Sequence, residues 1–227
     1  MAALFITATG TDIGKTFVAA GLARHLREQG QRVSIIKPVV SGFDAQTMAQ
    51  SDPAVLLTAL GEPVTEETIG AIAPWRFAAP LSPDMAAARE GRTVPFEDVV
   101  AFTRVKVTAA FNGVLIVEGV GGVMVPLDRQ HTVLDWISAL RIPIVLVTGS
   151  YLGTISHTLT ALHVLAQRKL DVAAIIVSES ERNPVTLEET VAGIQRFSNG
   201  IEVVGLPRLP AGIVEHPAFT RVAALLD

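Results

Sequence analysis

The chain has 227 residues, 49% of them hydrophobic and 18% charged, with a formal net charge of −4; that is enough apolar material for a substantial core. The negative balance excludes the broad basic face of a nucleic-acid binder, and no apolar run reaches the ~18 residues a membrane span needs. The chain has no cysteine, which excludes disulfides, thiolate metal sites and cysteine nucleophiles; with no basic leader or cleavage site at its start, it is expected in the cytoplasm.

The apolar run Ala2-Ala3-Leu4-Phe5-Ile6 predicts a buried strand over about 2–7, and Phe17 to Leu26 has the apolar spacing of a helix over about 15–29, ended by Gly30. A second strand is expected at Arg32 to Ile36, followed by a loop from Val39 to Asp44 and polar sequence up to Ser51-Asp52-Pro53. A short helix is expected from Ala54 to Leu60, and irregular proline-bearing chain over 61–80. Ser82-Pro83-Asp84 opens a helix that ends near Gly91, with proline at the first helical position. A helix over 96–111 leads to the strand Gly113 to Val117, and Asp135 to Leu140 is helical. Strands at 142–147, 172–177 and 201–205 alternate with helices at 154–170 and 187–197, and a last helix closes the chain. The strands are continuous apolar runs, as in a parallel sheet covered by helices on both faces. The expectation is a single doubly wound α/β domain over 1–227, with no repeat or linker.

The loop Thr7 to Thr16, ending Gly14-Lys15-Thr16 between a strand and a helix, has the context of a P-loop. Unpaired N–H groups at the helix start face an anion, Lys15 can reach the outer phosphates, and the Thr16 hydroxyl can ligate Mg²⁺. The strict pattern places glycine at position 9; here Thr9 stands there and Gly10 comes one residue late. Ligands in such sheets bind at the carboxyl ends of the strands. That rule gathers Lys37 and Ser41 after the second strand, and Glu118 with Gly119, Gly121 and Gly122 after a central one. Glu118 has the placement of a Walker B acid. Only four of the 18 basic residues are lysine, so Lys15 and Lys37 point to a need for a compact ammonium near phosphate. Asp52 reads equally as a second Mg²⁺ ligand or as a plain helix start. The histidines have no metal-ligand spacing, His157 reads as structural, and no G-x-S-x-G elbow is present.

These pieces together resemble one family. The motifs T-x-T-G-T-D-I-G-K-T, K-P-V-V-S-G, S-D-P, F-A-A-P-L-S-P, V-E-G-V-G-G, D-W and L-G-T-I-S-H, in this order through nearly the whole chain, are similar to those of the dethiobiotin synthetases. The resemblance implies a P-loop NTPase fold and a cyclo-ligase of biotin synthesis, with 7,8-diaminopelargonate, CO₂, ATP and Mg²⁺ as reactants and cofactor. It implies that Lys15, Lys37 and Thr11 act on the transferring group, with Ser41 near the carbamate. Thr16, Asp52 and Glu118 would hold Mg²⁺. Asp12, Ile13, Gly14, Phe17, Gly119, Val120 and Gly121 would line the nucleotide, with Ser178, Glu179, Pro207 and Leu209 around its base. It also implies a homodimer in which Gly153, Thr154, Ile155 and Ser156 receive the substrate's distant carboxylate across the interface. The chain departs from the family pattern at Ala8 for glycine, Gly10 for aspartate, Asp12 for the usual glutamate, and Ser178-Glu179 where asparagine is common.

A partition-type ATPase and an amidoligase share this fold class. The first should carry a second lysine early in the loop, where Gly10 and Thr11 stand; the second should carry an added glutaminase domain.

Overall fold

Six of the apolar runs become neighbours in one parallel sheet, in the order β2-β5-β1-β6-β7-β8. The computed structural model describes residues 2–209 and 215–225. The strands are β1 (Ala2–Ala8), β2 (Val33–Ile36), β5 (Val114–Glu118), β6 (Ile144–Gly149), β7 (Val172–Ser178) and β8 (Glu202–Leu206). Every residue of β5 and β6 is buried, so both faces of the sheet centre are covered. The covering helices are α1 (Lys15–Glu28), α2 (Asp52–Leu60), α3 (Glu66–Ile72), α4 (Pro83–Arg89), α5 (Phe96–Ala109), α6 (Val133–Leu140), α7 (Thr154–Gln167), α8 (Leu187–Gln195) and α9 (Pro217–Ala223).

The register positions the site. β1 lies between β5 and β6, pairing Ile6 with Glu118 and Ala8 with Val147. The chain leaves β1 toward β2 on one side and later leaves β5 toward β6 on the other. The loops after β1, β2 and β5 therefore open at the switch point, where α/β sheets bind ligands. Phe5 of β1 packs edge-on to Trp136 of α6, 4.9 Å between ring centres. Trp136 is fully buried and donates to Thr103 Oγ1 at 3.2 Å, which satisfies its one polar atom inside the core.

Two stretches differ from the sequence expectation. Val39–Ser41, expected as loop, is a short strand, β3, pairing in parallel with β4 (Trp75–Phe77). The stretch 61–80, expected as irregular, contains both α3 and β4. Three-residue strands are too short to show a period, and α3 is a seven-residue helix opened by a capping box, Thr65 with Thr68, and seated by only two buried residues, Ile69 and Ile72. A 3-10 helix, Ala45–Gln50, precedes α2. α2 starts at Asp52 and not Ala54 because Ser51 caps it, accepting from Ala54 N–H at 3.4 Å.

Candidate active site

The turn between β1 and α1 is built for close backbone approach. Gly14 adopts φ 98° as the residue before α1, and Asp12 φ 56°. A Cβ on Gly14 would stand 2.9 Å from Ser178 Oγ. Glycine is therefore required there by conformation and by space. No side chain caps α1, so its first N–H groups stay available to an anion. Lys15 is 6% exposed and donates to Gly10 O at 2.9 Å. Burial, and then the Lys37 charge, push its ammonium down to about 8.

Beneath the loop lies a charge cluster. Lys37 Nζ donates to Glu118 Oε1 at 2.6 Å, to Asp52 Oδ2, and to Thr16 Oγ1 at 3.3 Å. Thr16 Oγ1 in turn donates to Glu118 Oε1 at 2.7 Å. Glu118 is fully buried and Lys37 is 4% exposed, whereas the Asp52 side chain is half exposed. Burial alone would lower the Lys37 ammonium, but the two carboxylates outweigh it and hold it above its ordinary value. Glu118 Oε2 and Ser41 Oγ are buried without a hydrogen-bond partner. A hydroxyl and two carboxylates already gathered on one cation, with a spare carboxylate oxygen, form a donor set that fits Mg²⁺. Among the described residues no three His, Cys, Asp or Glu side chains could hold a metal by themselves. A Mg²⁺ bound there would need phosphate oxygens and water to complete its shell, as is usual for this ion.

Two clefts meet at the loop. One, of about 650 Å³, is lined by Lys15, Thr16, Lys37, Ser41 and Asp52 together with Thr11 and Val120. The other, of about 600 Å³, runs past Ile13 and Phe17 to Ser178, Glu179, Pro207 and Leu209. Asp12 and Gly14 belong to both, so the P-loop is the wall between a polar cleft and a second chamber.

A family model described as an AAA domain matches residues 2–212. The ATP-dependent dethiobiotin synthetase BioD of Acidiphilium cryptum is 51% identical over 197 residues, 86% of this chain and 88% of that protein. The protein of the same name from Methylobacterium nodulans is 46% identical over 212 residues, 92% of this chain and 94% of that one. The chain belongs to the ATP-dependent dethiobiotin synthetase family. Its fold is also similar to that of a MinC:MinD cell division complex from Aquifex aeolicus, at TM-score 0.53 and 12% identity over 98% of this chain and 86% of that chain. Chloroplast FtsY from Physcomitrella patens gives TM-score 0.52 and 16% identity over all of this chain and 65% of its own length. At such identities the likeness is one of P-loop fold alone.

The motifs this chain shares with the synthetase family do not all reach the clefts. Gly119 packs against the Phe5 ring, where a Cβ would stand 2.9 Å away, and does not line either cleft, unlike Val120 and Gly121. Gly153, Thr154, Ile155 and Ser156 open α7 away from both clefts. Thr154 is buried and donates to Gly149 O at 2.7 Å; Ile155 leans on α8, where a Cβ on Gly193 would meet it at 2.9 Å. His157, read from sequence as structural, is exposed; it contacts the Tyr151 hydroxyl at 2.9 Å and lines a third pocket of about 420 Å³ with Thr9, Gly10 and Val123. Pro80 to Pro83 form a wall of the polar cleft; their signal was the proline-bearing F-A-A-P-L-S-P run, to which no role had been attached. Ser180, Glu181 and Arg208 join the second chamber with no sequence signal beyond their place after β7 and β8.

Proposed function

We propose that the chain makes dethiobiotin from 7,8-diaminopelargonate and CO₂ at the expense of ATP, through a carbamate and a carbamic-phosphoric anhydride. The observation that carries the mechanism is the pair of buried lysines, Lys15 and Lys37, facing one polar cleft beside the P-loop. One substrate amine adds to CO₂ and loses a proton, giving a carbamate. A carbamate oxygen attacks the γ-phosphorus and ADP leaves. The second amine then attacks the carbamate carbon, phosphate departs, and the cyclic urea closes. None of these steps needs a protein nucleophile, so positioning and charge stabilisation supply the rate.

Lys15 and Lys37 hold phosphate and carbamate oxygens, and Thr11 and Ser41 face the carbamate. Thr16, Asp52 and Glu118 would hold Mg²⁺, which when bound would neutralise charge on the phosphates. Ser178, Glu179, Pro207 and Leu209 surround the base, with Phe17 and Ile13 closing the chamber. A second copy of the chain completes the site: the uncapped first turn of its α7, Gly153 to Ser156, receives the substrate's distant carboxylate. The setting is cytoplasmic. No helix among the described residues is long and apolar enough to cross a membrane.

The test is product analysis. The protein is incubated with 7,8-diaminopelargonate, bicarbonate and MgATP, and dethiobiotin and ADP are followed by mass. Equal amounts of both are expected. ATP hydrolysis without dethiobiotin overturns the reading.

A further inference from the structure

Four threonine hydroxyls form a chain between the P-loop and α7, three of them buried and Thr9 partly so. Thr148, fully buried near the end of β6, contacts Thr9 Oγ1 at 3.2 Å, Thr154 Oγ1 at 2.9 Å and Thr158 Oγ1 at 2.8 Å. Thr154 Oγ1 also lies 2.7 Å from Gly149 O and Thr158 Oγ1 2.7 Å from Thr154 O, both carbonyls that can only accept. The hydroxyls therefore connect the P-loop, through β6, to the first turns of α7.

Thr9 is held on its other side as well. Gly122 presses on its backbone, and a Cβ there would stand 3.2 Å from Thr9 C and O. Thr9 is the residue that stands where the strict P-loop pattern has glycine, and its hydroxyl meets that of Thr148. The far end matters equally. Gly153 precedes α7 at φ 94° and offers no side-chain cap. The start of α7 is therefore fastened from inside, by Thr154 and Thr158 and by the Thr154 N–H donating to Tyr151 O at 3.1 Å, while no side chain caps its next N–H groups.

We infer that Thr148 is a positioning residue: its hydroxyl sets the first turn of α7 relative to the P-loop, and so sets how tightly α7 binds the acid end of the diamino acid. This rests on the reading of the chain as a dethiobiotin synthetase whose α7 binds a carboxylate. Thr148 touches no reactant itself.

The experiment compares Thr148→Val, which keeps the shape and removes the hydroxyl, with Thr148→Ser, which keeps the hydroxyl. In Thr148→Val the KM for 7,8-diaminopelargonate rises at least fivefold, while kcat and the KM for ATP stay within twofold. Thr148→Ser returns the KM to within twofold of native, and Thr158→Val reproduces the Thr148→Val pattern from the α7 end of the chain. An unchanged KM for the diamino acid in folded Thr148→Val overturns the inference, and so does an equal loss toward both substrates. If Thr148→Val does not fold, Thr158→Val decides by the same split. Absence of dethiobiotin with the native protein is a different outcome and overturns the underlying reading.

Discussion

Lys37 Nζ stands 2.6 Å from Glu118 Oε1, a contact between the residue after β2 and the last residue of β5. Glu118 is fully buried, and removing one partner of a buried pair strands the other charge. Asp52 still faces Lys37, so Glu118→Ala should cost about 3 kcal/mol of stability, the low end for such pairs. It should also raise the Mg²⁺ concentration needed for half-maximal turnover. Denaturant melts and Mg²⁺ titrations of dethiobiotin formation measure the two effects. Native Mg²⁺ dependence in the folded variant removes Glu118 from the metal site.

Lys37→Gln should keep ATP binding and lose turnover by about 2–4 kcal/mol, the loss seen when a donor to developing charge is removed. Lys37→Arg should not restore it, because a planar fork places its charge differently from a compact ammonium. The same change should tighten Mn²⁺ binding to the nucleotide-free protein, since the ammonium that now occupies Thr16, Asp52 and Glu118 is gone. Electron paramagnetic resonance of added Mn²⁺ reads this directly. Unchanged turnover would make Lys37 a structural counter-ion to Glu118.

The sheet was legible because its strands are long apolar runs separated by helical periods, and the P-loop because Gly14-Lys15-Thr16 sits between a strand and a helix. The Lys37–Glu118 contact was not legible: the residues are 81 apart in sequence, and only the β2–β5 pairing brings them together. Strand-end position placed both at the same edge but could not state that they touch. β3 and β4 failed for a different reason, since three residues hold too little pattern. Asp135-Trp136 shows a motif whose meaning only packing supplies: Asp135 caps α6 and Trp136 fills the core under β1.

The glycines of the loop are unequal. Gly14→Ala meets both a left-handed backbone and Ser178 Oγ at 2.9 Å. Gly10 has no positive φ, and a Cβ there meets only the flexible tip of Ile13 at 3.0 Å. Gly14→Ala should weaken ATP binding by about tenfold or more, equivalent to about 1.4 kcal/mol. Gly10→Ala should stay within about threefold of native, roughly 0.7 kcal/mol. Calorimetric titration with a non-hydrolysable ATP analogue compares them, and equal losses would place the requirement elsewhere in the loop.

Asp135 accepts from the Thr132 N–H at 2.9 Å and from its hydroxyl at 2.8 Å, and pairs with Arg168 at 3.2 Å. Burial pushes its carboxyl up, but the Thr132 hydrogen bonds and the Arg168 charge outweigh this and hold it below the usual aspartate value. A depressed carboxyl binds fewer protons folded than unfolded, so its contribution is present at neutral pH and is lost as pH falls through its folded range. Asp135→Ala should cost about 1 kcal/mol at pH 7, the worth of a helix cap, and the gap to native should close in acid. Melting curves between neutral pH and about pH 3, below the usual aspartate value, test the sign. A constant gap would assign the loss to packing.

The proposed shared site makes a prediction about mixed dimers. Lys37 belongs to the polar cleft of its own chain, whereas the first turn of α7 would serve the other copy. Ile155 leans on Gly193 of α8, so the exposed Ser156 is the better place to put a charge against the incoming carboxylate. Lys37→Gln and Ser156→Glu homodimers should each be nearly inactive. In a heterodimer of the two, one site would carry both lesions and the other neither. Random exchange at equal amounts makes half of the dimers mixed, each with one intact site of two, so about a quarter of native turnover per site should return, given two-fold pairing. Activity is followed after mixing, with subunit exchange confirmed by native mass spectrometry. Exchange without recovery would place all parts of the site within one chain, and α7 would then be a helix of the scaffold alone.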